Sequence, residues 1–577
     1  MQRKEGSLII RQRIHLMMVF LLLLFVILLG RLAFIQLYLG EKLSAEALTQ
    51  RTRQINIEEY PRGAIMDRNR IPLTNTGLTT ALYAIPTEMT SSGHMSSSSL
   101  DYTAKQIASL LHSENPYSIK KTLLQALITG EHAVRIASDL SEAEAREVKR
   151  QGLPGLVVAP ESKRYREDGF AVHLLGYVDG GNPVRGLTGI ERSYDEVLRQ
   201  EEGASGLVSI QDARGMAING LKLRKPAATT VKQGAVILTI DKRLQQVIED
   251  VMNSRVKKGA VVLMDVRNKE ILAMASRPVY NPYNIDEVIK NDTNGSLNNR
   301  CLMSYPPGSL FKLAIAAAAI DEGIVECTES FDCKGEYRFN QEAVIPCWNK
   351  LGHGNLRFDD AFAQSCNSVF IETGLRLGRE RLIRYVQQLH LSDEGVGGLA
   401  YGGAGTGVVI DGGEAALGNA SIGQQGVMLS PVQLCSLVST IADDGVWAMP
   451  SLVHATIDKQ GAMKKIAAPQ RKQTIKPSTA KALQSLMIKA VKVGTGRNAA
   501  PVQAVAAGKT GTGQTGNIGR DNEEILNTWF AGYFPANQPR WAVVVLVEEG
   551  SSGAEDAAPV FREIADRLLK ILPLSGE

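Results

Sequence analysis

The feature that most constrains the chain is an uncharged apolar run near its N-terminus, from Leu16 to Gly30. Together with the segment from Leu32 to Ile35, it approaches the roughly 20 residues that a helix needs to cross a bilayer. Arg31 can extend its guanidinium to the lipid headgroups. Because basic residues precede the run, we expect the N-terminus to stay in the cytoplasm. The remaining chain would then fold outside the membrane.

A cleaved signal peptide is the alternative, because the segment Ala45–Ala47 resembles a small-residue cleavage site. That segment lies far beyond the apolar run, and the length of the run suits an anchor better. We therefore predict a cytoplasmic tail over residues 1–13, a transmembrane anchor over 14–37, and an extracytoplasmic remainder.

Length and charge limit the classes of function. A chain of 577 residues is too long for one core and predicts two to four domains. The net charge of +4 is spread thinly, which indicates no nucleic-acid partner. The sequence has no CxxC, and no two histidines have helical ligand spacing, so it predicts no metal site and no cofactor.

Six cysteines occur, at positions 301, 327, 333, 347, 366 and 435. Cys333 and Cys347 bracket a short polar loop and are the best candidates for a disulfide, which an exported domain permits. Free, buried thiols are the alternative. The sequence leaves this choice open.

The pattern of the sequence changes after residues 222–234, a segment of charged residues, proline and small residues. We take this segment as a domain seam, with one domain at 38–234 and another at 235–577. In the second, a predicted hairpin turns at 267–269, and two apolar strands lie near the C-terminal end around a long helical stretch. The pattern predicts an α/β fold with one sheet and a helical subdomain.

The segment "SYPPGSLFKLAIAAAAIDEG" carries the first candidate for chemistry. Pro306–Gly308 cannot be helical, whereas Leu310–Ile320 is a strong helix former, so Ser309 is predicted to cap the helix. Lys312 lies one turn further on the same face. The helix dipole and apolar neighbours should lower its pKa. A neutral amine beside a serine hydroxyl is typical of nucleophilic catalysis without histidine.

The same Ser-x-x-Lys spacing occurs at Ser118, Ser254 and Ser478, where a structural explanation suffices. Only Ser309 combines a rigid lead-in with an alanine-rich helix. A second candidate is Ser365-Cys366-Asn367, at a predicted break between two helices. A third is Lys509-Thr510-Gly511, a predicted strand edge where Gly511 would let a ligand approach closely. A phosphate-binding loop is excluded at this third segment because Gln503 replaces the required glycine.

In the order SxxK, SxN, KTG, the three segments match the signature of penicillin-binding proteins and serine β-lactamases. Over nearly its whole length the chain resembles the class B penicillin-binding proteins, the monofunctional peptidoglycan transpeptidases. The resemblance includes the single anchor and the stretches "RGAIMDRN", "HLLGYVDGG", "NRCLMSYPPGSLFK" and "SIGQQGVMLSPVQL". One departure is Arg70, where the family usually has glycine.

This resemblance implies a penicillin-binding/serine β-lactamase-like transpeptidase domain with a central antiparallel sheet, helices and a helical subdomain. An elongated α+β pedestal domain of the penicillin-binding protein dimerisation type would precede it. The implied partners are peptidoglycan stem peptides, β-lactams, the membrane and a polytopic glycan polymerase of the SEDS type. Roles in elongation, division and spore formation remain alternatives.

The resemblance also implies roles for the site residues. Ser309 would attack the carbonyl between the two terminal D-alanines of a stem peptide while Lys312 takes its proton. Ser365 would relay a proton to the leaving D-alanine, and Asn367 would orient the peptide. The backbone N–H groups of Ser309 and Thr512 would hold the oxyanion, and the terminal carboxylate would bind at Lys509, Thr510, Gly511 and Thr512.

Two other functions remain as alternatives to a transpeptidase. A D,D-carboxypeptidase or β-lactamase would hand the acyl group to water, although such a hydrolase needs no pedestal. A non-catalytic penicillin-binding sensor or scaffold would keep the fold as a binding module. The intact candidate residues make this second alternative the weaker one.

Overall fold

The computed structural model describes residues 2–39, 43, 52–55, 62–86, 89, 97–111, 115–129, 133–153, 155–179, 184–199, 207–210, 233–341, 343–392, 395–399, 407–519 and 522–573. The chain divides into two compact units. Unit 1 comprises residues 1–60, 78–161 and 201–231, and unit 2 comprises 61–77, 162–200 and 232–577. The seam predicted at 222–234 lies almost entirely outside the described residues, and the predicted domain bounds stay a prediction.

The N-terminal helix, Gln2–Leu37, contains the apolar run. Its segment Arg13–Leu37 is long and apolar enough to cross a membrane, and the most apolar 18 residues within it have a mean hydropathy of 2.8. The helix is therefore a candidate membrane anchor by length and composition.

Unit 1 combines short helices with two small sheets. A three-stranded sheet has the strand at 77–84 in its centre. A buried cluster that includes Leu82, Ile107 and Leu123 joins this sheet to the helices. The helices after the anchor are Ser97–Leu110, Pro116–Thr129 and Glu142–Gln151, and the strands are Thr52–Ile55, Gly77–Ala84, Val134–Ala137, Leu156–Lys163 and Leu207–Ile210.

Unit 2 is built on a five-stranded antiparallel sheet. Its strands are β1 (Gly259–Asp265), β2 (Ile271–Arg277), β3 (Ala507–Ile518), β4 (Glu524–Phe534) and β5 (Trp541–Gly550), in the spatial order β3-β4-β5-β1-β2. The hairpin predicted at 267–269 is the β1–β2 connection. Strands from both ends of the unit therefore meet in one sheet, as the sequence pattern predicts, and β3 lies at its edge.

Both faces of the sheet are covered, which explains why β1 and the larger part of β5 are almost continuously apolar. Along β1, Val262 and Met264 face one core cluster, whereas Val261 and Leu263 face the other. The second cluster is closed by helices α1 (Lys242–Arg255) and α6 (Ala558–Ile571). The first is closed by the helical subdomain.

The helical subdomain centres on α2 (Lys312–Asp321), whose residues from Lys312 to Ala319 are all buried. Helices α3 (Asn367–Leu377) and α5 (Pro477–Val493) pack against α2, and α4 (Pro431–Ala442) packs against α5 and the central sheet. Helix α4 begins with a capping box formed by Ser430 and Gln433. Helix α2 is apolar on almost all sides, as expected of a buried helix. Its small alanine side chains let the neighbouring elements pack close to it.

The remaining elements of unit 2 are short. A four-stranded sheet has the order Met463–Lys465, Val453–Ile457, Ala235–Leu238, Ala64–Met66. Two-stranded ladders join Ser330–Cys333 to Gly354–Arg357, Glu336–Arg338 to Val344–Pro346, Gly407–Val408 to Val427–Met428, and Val446–Trp447 to Lys472–Gln473. Short helices lie at Val172–Leu175, Gly189–Ser193, Asp195–Leu198, Ile285–Asn291, Gly308–Phe311, Phe358–Ala363, Arg379–Gln388, Glu414–Ser421, Arg497–Ala499 and Gly553–Ala557.

A buried ion network holds residues 61–77 and 162–200 together within unit 2. The carboxylate of Glu191 is fully buried and pairs with Arg62 at 2.6 Å and Arg164 at 2.5 Å. Burying a lone carboxylate would be costly, so both guanidinium groups are needed to offset its desolvation. Arg70, the departure from the resemblance, has φ of 62°, a left-handed conformation that is uncommon for a residue with a side chain.

Candidate active site

Ser309 lies in a short 3-10 helix, Gly308–Phe311, that leads directly into α2. The helix cap expected at Ser309 is wrong: Phe311 precedes α2 and makes no side-chain capping bond. Pro307 already has helical backbone angles, so the turn begins earlier than the sequence suggests. Ser309 is half-buried, and its hydroxyl makes no hydrogen bond within the described part of the chain.

Lys312, the first residue of α2, is completely buried. Its Nζ donates hydrogen bonds to the carbonyl oxygen of Ser365 at 2.8 Å and to Oδ1 of Asn367 at 2.7 Å, and it lies 3.4 Å from Ser365 Oγ. Burial lowers the pKa of Lys312 to about 8, although the nearby thiols of Cys366 and Cys347 act in the opposite direction. A neutral amine has two N–H donors, so these two acceptors leave its lone pair free to take a proton.

Ser365 occupies the predicted break between two helices, Phe358–Ala363 and α3. Its φ is 57°, a left-handed conformation that costs energy for a residue with a side chain. Asn367 is the first residue of α3, and its Nδ2 donates to the carbonyl of Pro346 at 3.2 Å. Both polar ends of the Asn367 amide are therefore engaged by the protein, one by Lys312 and one by Pro346.

Lys509 is fully buried in β3, and its Nζ donates to the carbonyl of Thr510 at 3.3 Å. Its Nζ also lies 5.9 Å from the centre of the Phe362 ring. Burial holds its pKa well below the ordinary value, and the charge of Lys312 lowers it further. Lys312 and Lys509 are therefore close enough to interact electrostatically. The first and third sequence segments thus lie in one region of the fold.

The hydroxyl of Thr510 lies 2.7 Å from that of Thr495, a residue that the sequence analysis missed. Thr512 is half-buried, and its Oγ1 lies 3.5 Å from the backbone nitrogen of Gly553. Because side chains alternate along a strand, Thr510 and Thr512 share one face of β3, and Lys509 lies on the other.

The backbone of β3 packs directly against the turn that carries Ser309. A Cβ added to Gly511 would lie 2.7 Å from the Pro307 carbonyl oxygen, and one added to Gly513 would lie 2.1 Å from that of Pro306. The sequence analysis expected Gly511 to make room for a ligand. In the structure, the space beside Gly511 is filled by the chain itself.

Gln424 completes the contact between these segments. Its Nε2 donates to the carbonyl of Thr512 at 3.2 Å, and its Oε1 accepts from the backbone N–H of Gln514 at 3.1 Å. The neighbouring Gly423 accepts from the backbone N–H of Gly308 at 2.9 Å. Gln424 carries no recognisable local signal in the sequence, where its stretch contributes only to the resemblance.

A second cluster of chemically active groups adjoins the Ser365–Asn367 segment. It consists of Cys333, Cys347, His353 and Cys366, whose sulfur and ring-nitrogen atoms all lie within 4.8 Å of one another. All six cysteines are free thiols, so the disulfide alternative for Cys333 and Cys347 is not realised in the structure. A hydrogen bond from the Cys366 thiol lowers the pKa of Cys347.

The sequence analysis predicted no metal site, and it missed this cluster because the four residues come from separate segments. The structure thus brings all three predicted motif segments together and adds Thr495, Gln424 and the thiol cluster. A buried amine, a serine hydroxyl and a strand at the edge of the sheet are the groups that acyl transfer requires.

The sequence matches two family descriptions. Residues 259–566 match "Penicillin binding protein transpeptidase domain", and residues 57–229 match "Penicillin-binding Protein dimerisation domain".

Similar proteins include Stage V sporulation protein D of Bacillus subtilis, which is 30% identical and matches over 97% of this chain and 86% of its own length. The Peptidoglycan D,D-transpeptidase MrdA of Acinetobacter baumannii is 25% identical, over 96% of this chain and 87% of its own length. A solved structure of the Penicillin-Binding Protein (PBP2) from Helicobacter pylori superposes with a TM-score of 0.70 at 21% identity, covering 91% of this chain and 100% of the other. This last similarity concerns the fold.

Substituting Gly308→Ala should destabilise the protein more than a left-handed backbone angle alone explains. Gly308 has φ of 54°, and its added Cβ would lie 2.1 Å from the Thr512 carbonyl oxygen. We expect a cost of about 1–2 kcal/mol for the backbone angle and about 1–3 kcal/mol more for the clash. Chemical denaturation of the detergent-solubilised protein measures this cost.

The matched control is Gly323→Ala, just beyond the other end of α2. Gly323 has φ of 68° and nothing within 4 Å of an added Cβ, so only the cost of the backbone angle should remain. Equal losses in the two variants would contradict the proposed close contact between Gly308 and β3.

Proposed function

The chain belongs to the class B penicillin-binding proteins and is a peptidoglycan D,D-transpeptidase, and we propose that Ser309 is the nucleophile of its reaction. Its fold is that of a penicillin-binding transpeptidase preceded by a dimerisation domain, as the resemblance implies. The observation that carries the assignment is the burial of Lys312 beside Ser365 and Asn367, one turn after Ser309.

In the proposed acylation step, Ser309 Oγ attacks the carbonyl between the terminal D-alanines and passes its proton to the Lys312 amine. The lowered pKa of Lys312 supports this role, because near neutral pH part of the amine is uncharged. Its two hydrogen bonds to Ser365 and Asn367 fix the direction of its lone pair. The missing hydrogen bond between Ser309 and Lys312 is compatible with this role, since such bonds often tighten only when substrate binds.

The backbone N–H groups of Ser309 and Thr512 are the proposed oxyanion hole. Support for Thr512 comes from the geometry of the strand. In an antiparallel ladder the N–H and C=O of one residue point to the same side. The carbonyl of Thr512 bonds to Gln424 and not to β4, so its N–H also faces the free edge. The contact of Gly308 with Thr512 brings this edge next to the nucleophile.

Ser365 and Asn367 are proposed to serve the leaving group and the peptide. Ser365 Oγ is 3.4 Å from Lys312 Nζ, which suits a relay of the proton from the lysine to the departing D-alanine. Asn367 Oδ1 is bonded to Lys312, so Asn367 also positions the base.

The terminal carboxylate is proposed to bind at β3, with Lys509 and Thr510 as its main partners and Gly511 and Thr512 beside them. Lys509 is buried without a carboxylate partner among the described residues. Burial lowers its pKa most, and the charge of Lys312 lowers it further. A bound carboxylate would supply the missing countercharge. The Thr510 hydroxyl, held by Thr495, would add a directed hydrogen bond.

β-Lactams are proposed to acylate Ser309 in the same way and to inhibit the enzyme. The candidate anchor helix is proposed to leave the short N-terminus in the cytoplasm and the chain beyond the anchor outside. A polytopic glycan polymerase of the SEDS type is the proposed membrane partner. The proposed domain division is a tail at 1–13, an anchor at 14–37, a pedestal at 38–234 and a transpeptidase domain at 235–577.

Substituting Ser309→Ala should abolish covalent labelling by a fluorescent penicillin, because the acyl-acceptor oxygen is removed. The protein is incubated with the probe, denatured and examined in a gel. The matched control is Ser478→Ala, which changes an exposed serine in another Ser-x-x-Lys pair and should label normally. Persistent labelling of the Ser309 variant would reject the assignment.

The acylation rate should fall at low pH and level off above about pH 8. The pKa of Lys312 is lowered to about 8, so below this value the amine is protonated and cannot accept the serine proton. We expect a drop of about tenfold for each pH unit well below 8. The thiols of Cys366 and Cys347 act on the pKa of Lys312 in the opposite direction to burial, and the charge of Lys312 lowers the pKa of Lys509. A rate that does not change between pH 6 and pH 9 would contradict the role of Lys312 as base.

Product analysis separates transpeptidation from hydrolysis. Supplied with uncross-linked peptidoglycan, the enzyme should form more cross-linked dimers than stems trimmed by hydrolysis, since both reactions release one D-alanine for each acylation. A product mixture of trimmed stems without dimers would favour the D,D-carboxypeptidase alternative. Ser309→Ala should form neither product.

A further inference from the structure

We propose that Cys333, Cys347, His353 and Cys366 bind one zinc ion, which fixes the segment Ser365–Asn367 in its working position. The first part of this proposal, the binding of zinc, does not depend on the reaction. The second part, the effect on catalysis, rests on the function proposed above.

The positions of the four side chains fit a tetrahedral ion. With Zn–S bonds of about 2.3 Å and Zn–N bonds of about 2.0–2.1 Å, tetrahedral ligands lie about 3.6 Å (N to S) or 3.8 Å (S to S) apart. His353 Nδ1 lies 3.5 Å from Cys333 Sγ and 3.6 Å from Cys347 Sγ. The four ligand atoms lie within 4.8 Å of one another. They therefore need only a small contraction to surround an ion.

Three cysteines and one histidine form a recognised set of ligands for structural zinc. Thiolates select soft or borderline ions, and a tetrahedral S₃N set favours zinc over magnesium or calcium. All four positions would be filled by the protein, so the ion would have no open site for a substrate. A structural role, and not a catalytic one, follows from this closure.

The orientation of His353 supports the assignment. Its Nδ1 faces the two sulfurs, whereas its buried Nε2 has no hydrogen-bond partner among the described residues. The ring packs edge-on against Trp348, with centroids 5.3 Å apart. Among the described residues, the hydrogen-bonding contacts of the ring are thus with two of the sulfurs that would share the ion with it.

Groups around the sulfurs are placed to support thiolates. The backbone N–H of Asn367 donates to Cys347 Sγ at 3.4 Å, and Ser368 Oγ lies 3.5 Å from Cys333 Sγ. Such outer hydrogen bonds orient metal ligands and stabilise them. Zinc binding would release the protons of the three thiols, since the thiolate is the ligand.

The local fold also needs a cross-link. Cys333 ends a four-residue strand, and Cys347 directly follows a three-residue strand, each in a separate two-stranded ladder. Isolated pairs of this size are only marginally stable. One ion would connect both ladders to the start of α3, where Cys366 lies.

The catalytic consequence follows from the position of Cys366 between Ser365 and Asn367. Both neighbours bond to Lys312 through atoms 2.8 Å and 2.7 Å from its Nζ. Fixing the sulfur of Cys366 therefore restrains two acceptors of the proposed base. The four ligands act as positioning residues because they reach the reaction only through Ser365 and Asn367.

The test begins with the metal content of the full-length protein, purified in detergent under reducing conditions without chelator. Elemental analysis should find one zinc per chain in the wild type and strongly reduced zinc in Cys347→Ser and Cys366→Ser. The control is Cys327→Ser, which changes a half-buried thiol outside the cluster and should keep the zinc. Replacement by Co²⁺ should produce the absorption bands of a tetrahedral thiolate site.

Chelation of the wild-type protein provides a second readout that does not depend on the folding of a variant. Removing zinc should lower the acylation rate constant about 10- to 100-fold, with little change in non-covalent affinity for the penicillin. Adding Zn²⁺ should restore the rate. Wild-type protein without zinc, with all thiols free or with a Cys333–Cys347 disulfide, would overturn the metal site.

The two proposals can fail separately. Zinc in the wild type without labelling of Ser309 would reject the nucleophile and keep the metal site. Labelling of Ser309 that persists at full rate after complete removal of zinc would reject the positioning role.

Discussion

The site depends on direct contact between two backbones, the turn at 306–308 and strand β3. Gly308, Gly511 and Gly513 lack the side-chain carbon that would collide with a carbonyl oxygen across this contact. Because the turn begins helix α2 and β3 belongs to the central sheet, the contact joins the helical subdomain to the sheet at the point of chemistry. The distance between the candidate nucleophile and the strand edge is therefore set by packing of main chain and not by flexible side chains.

Burial of two lysines is the second constraint. Lys312 and Lys509 are both fully buried, and each would pay a large desolvation cost if charged. Burial lowers the pKa of Lys312 to about 8, because among the described residues it has hydrogen-bond acceptors but no carboxylate partner to offset its desolvation. The protein thus obtains a base by placing an amine among carbonyl and amide oxygens. A countercharge at either lysine would weaken this effect.

Much of the fold can be predicted from the sequence because its signals are local. The apolar strands, the hairpin at 267–269 and the capping box at Ser430 each occupy one short stretch of chain. The three candidate segments, which begin at Ser309, Ser365 and Lys509, each carry a local signal of this kind. The space beside Gly511 was misread, because its neighbour Pro307 is about two hundred positions away in the sequence.

Other parts of the site have no local signal at all. Thr495 and Gln424 gain their partners only when distant segments meet. The helix cap expected at Ser309 was wrong because the chain enters a 3-10 turn before α2. Cys333, Cys347, His353 and Cys366 follow no metal-binding spacing, since their arrangement is produced by two ladders and a helix start. Only the folded backbone makes these residues neighbours.

The contact of Gln424 with β3 has a consequence for solubility. An unpaired edge strand offers its N–H and C=O groups to any extended chain, which promotes aggregation and unwanted oligomers. The amide of Gln424 imitates one peptide unit of a sixth strand by pairing with the carbonyl of Thr512 and the N–H of Gln514. It therefore blocks foreign chains from extending the sheet past Thr512, while the part of the edge before it stays open to a short peptide.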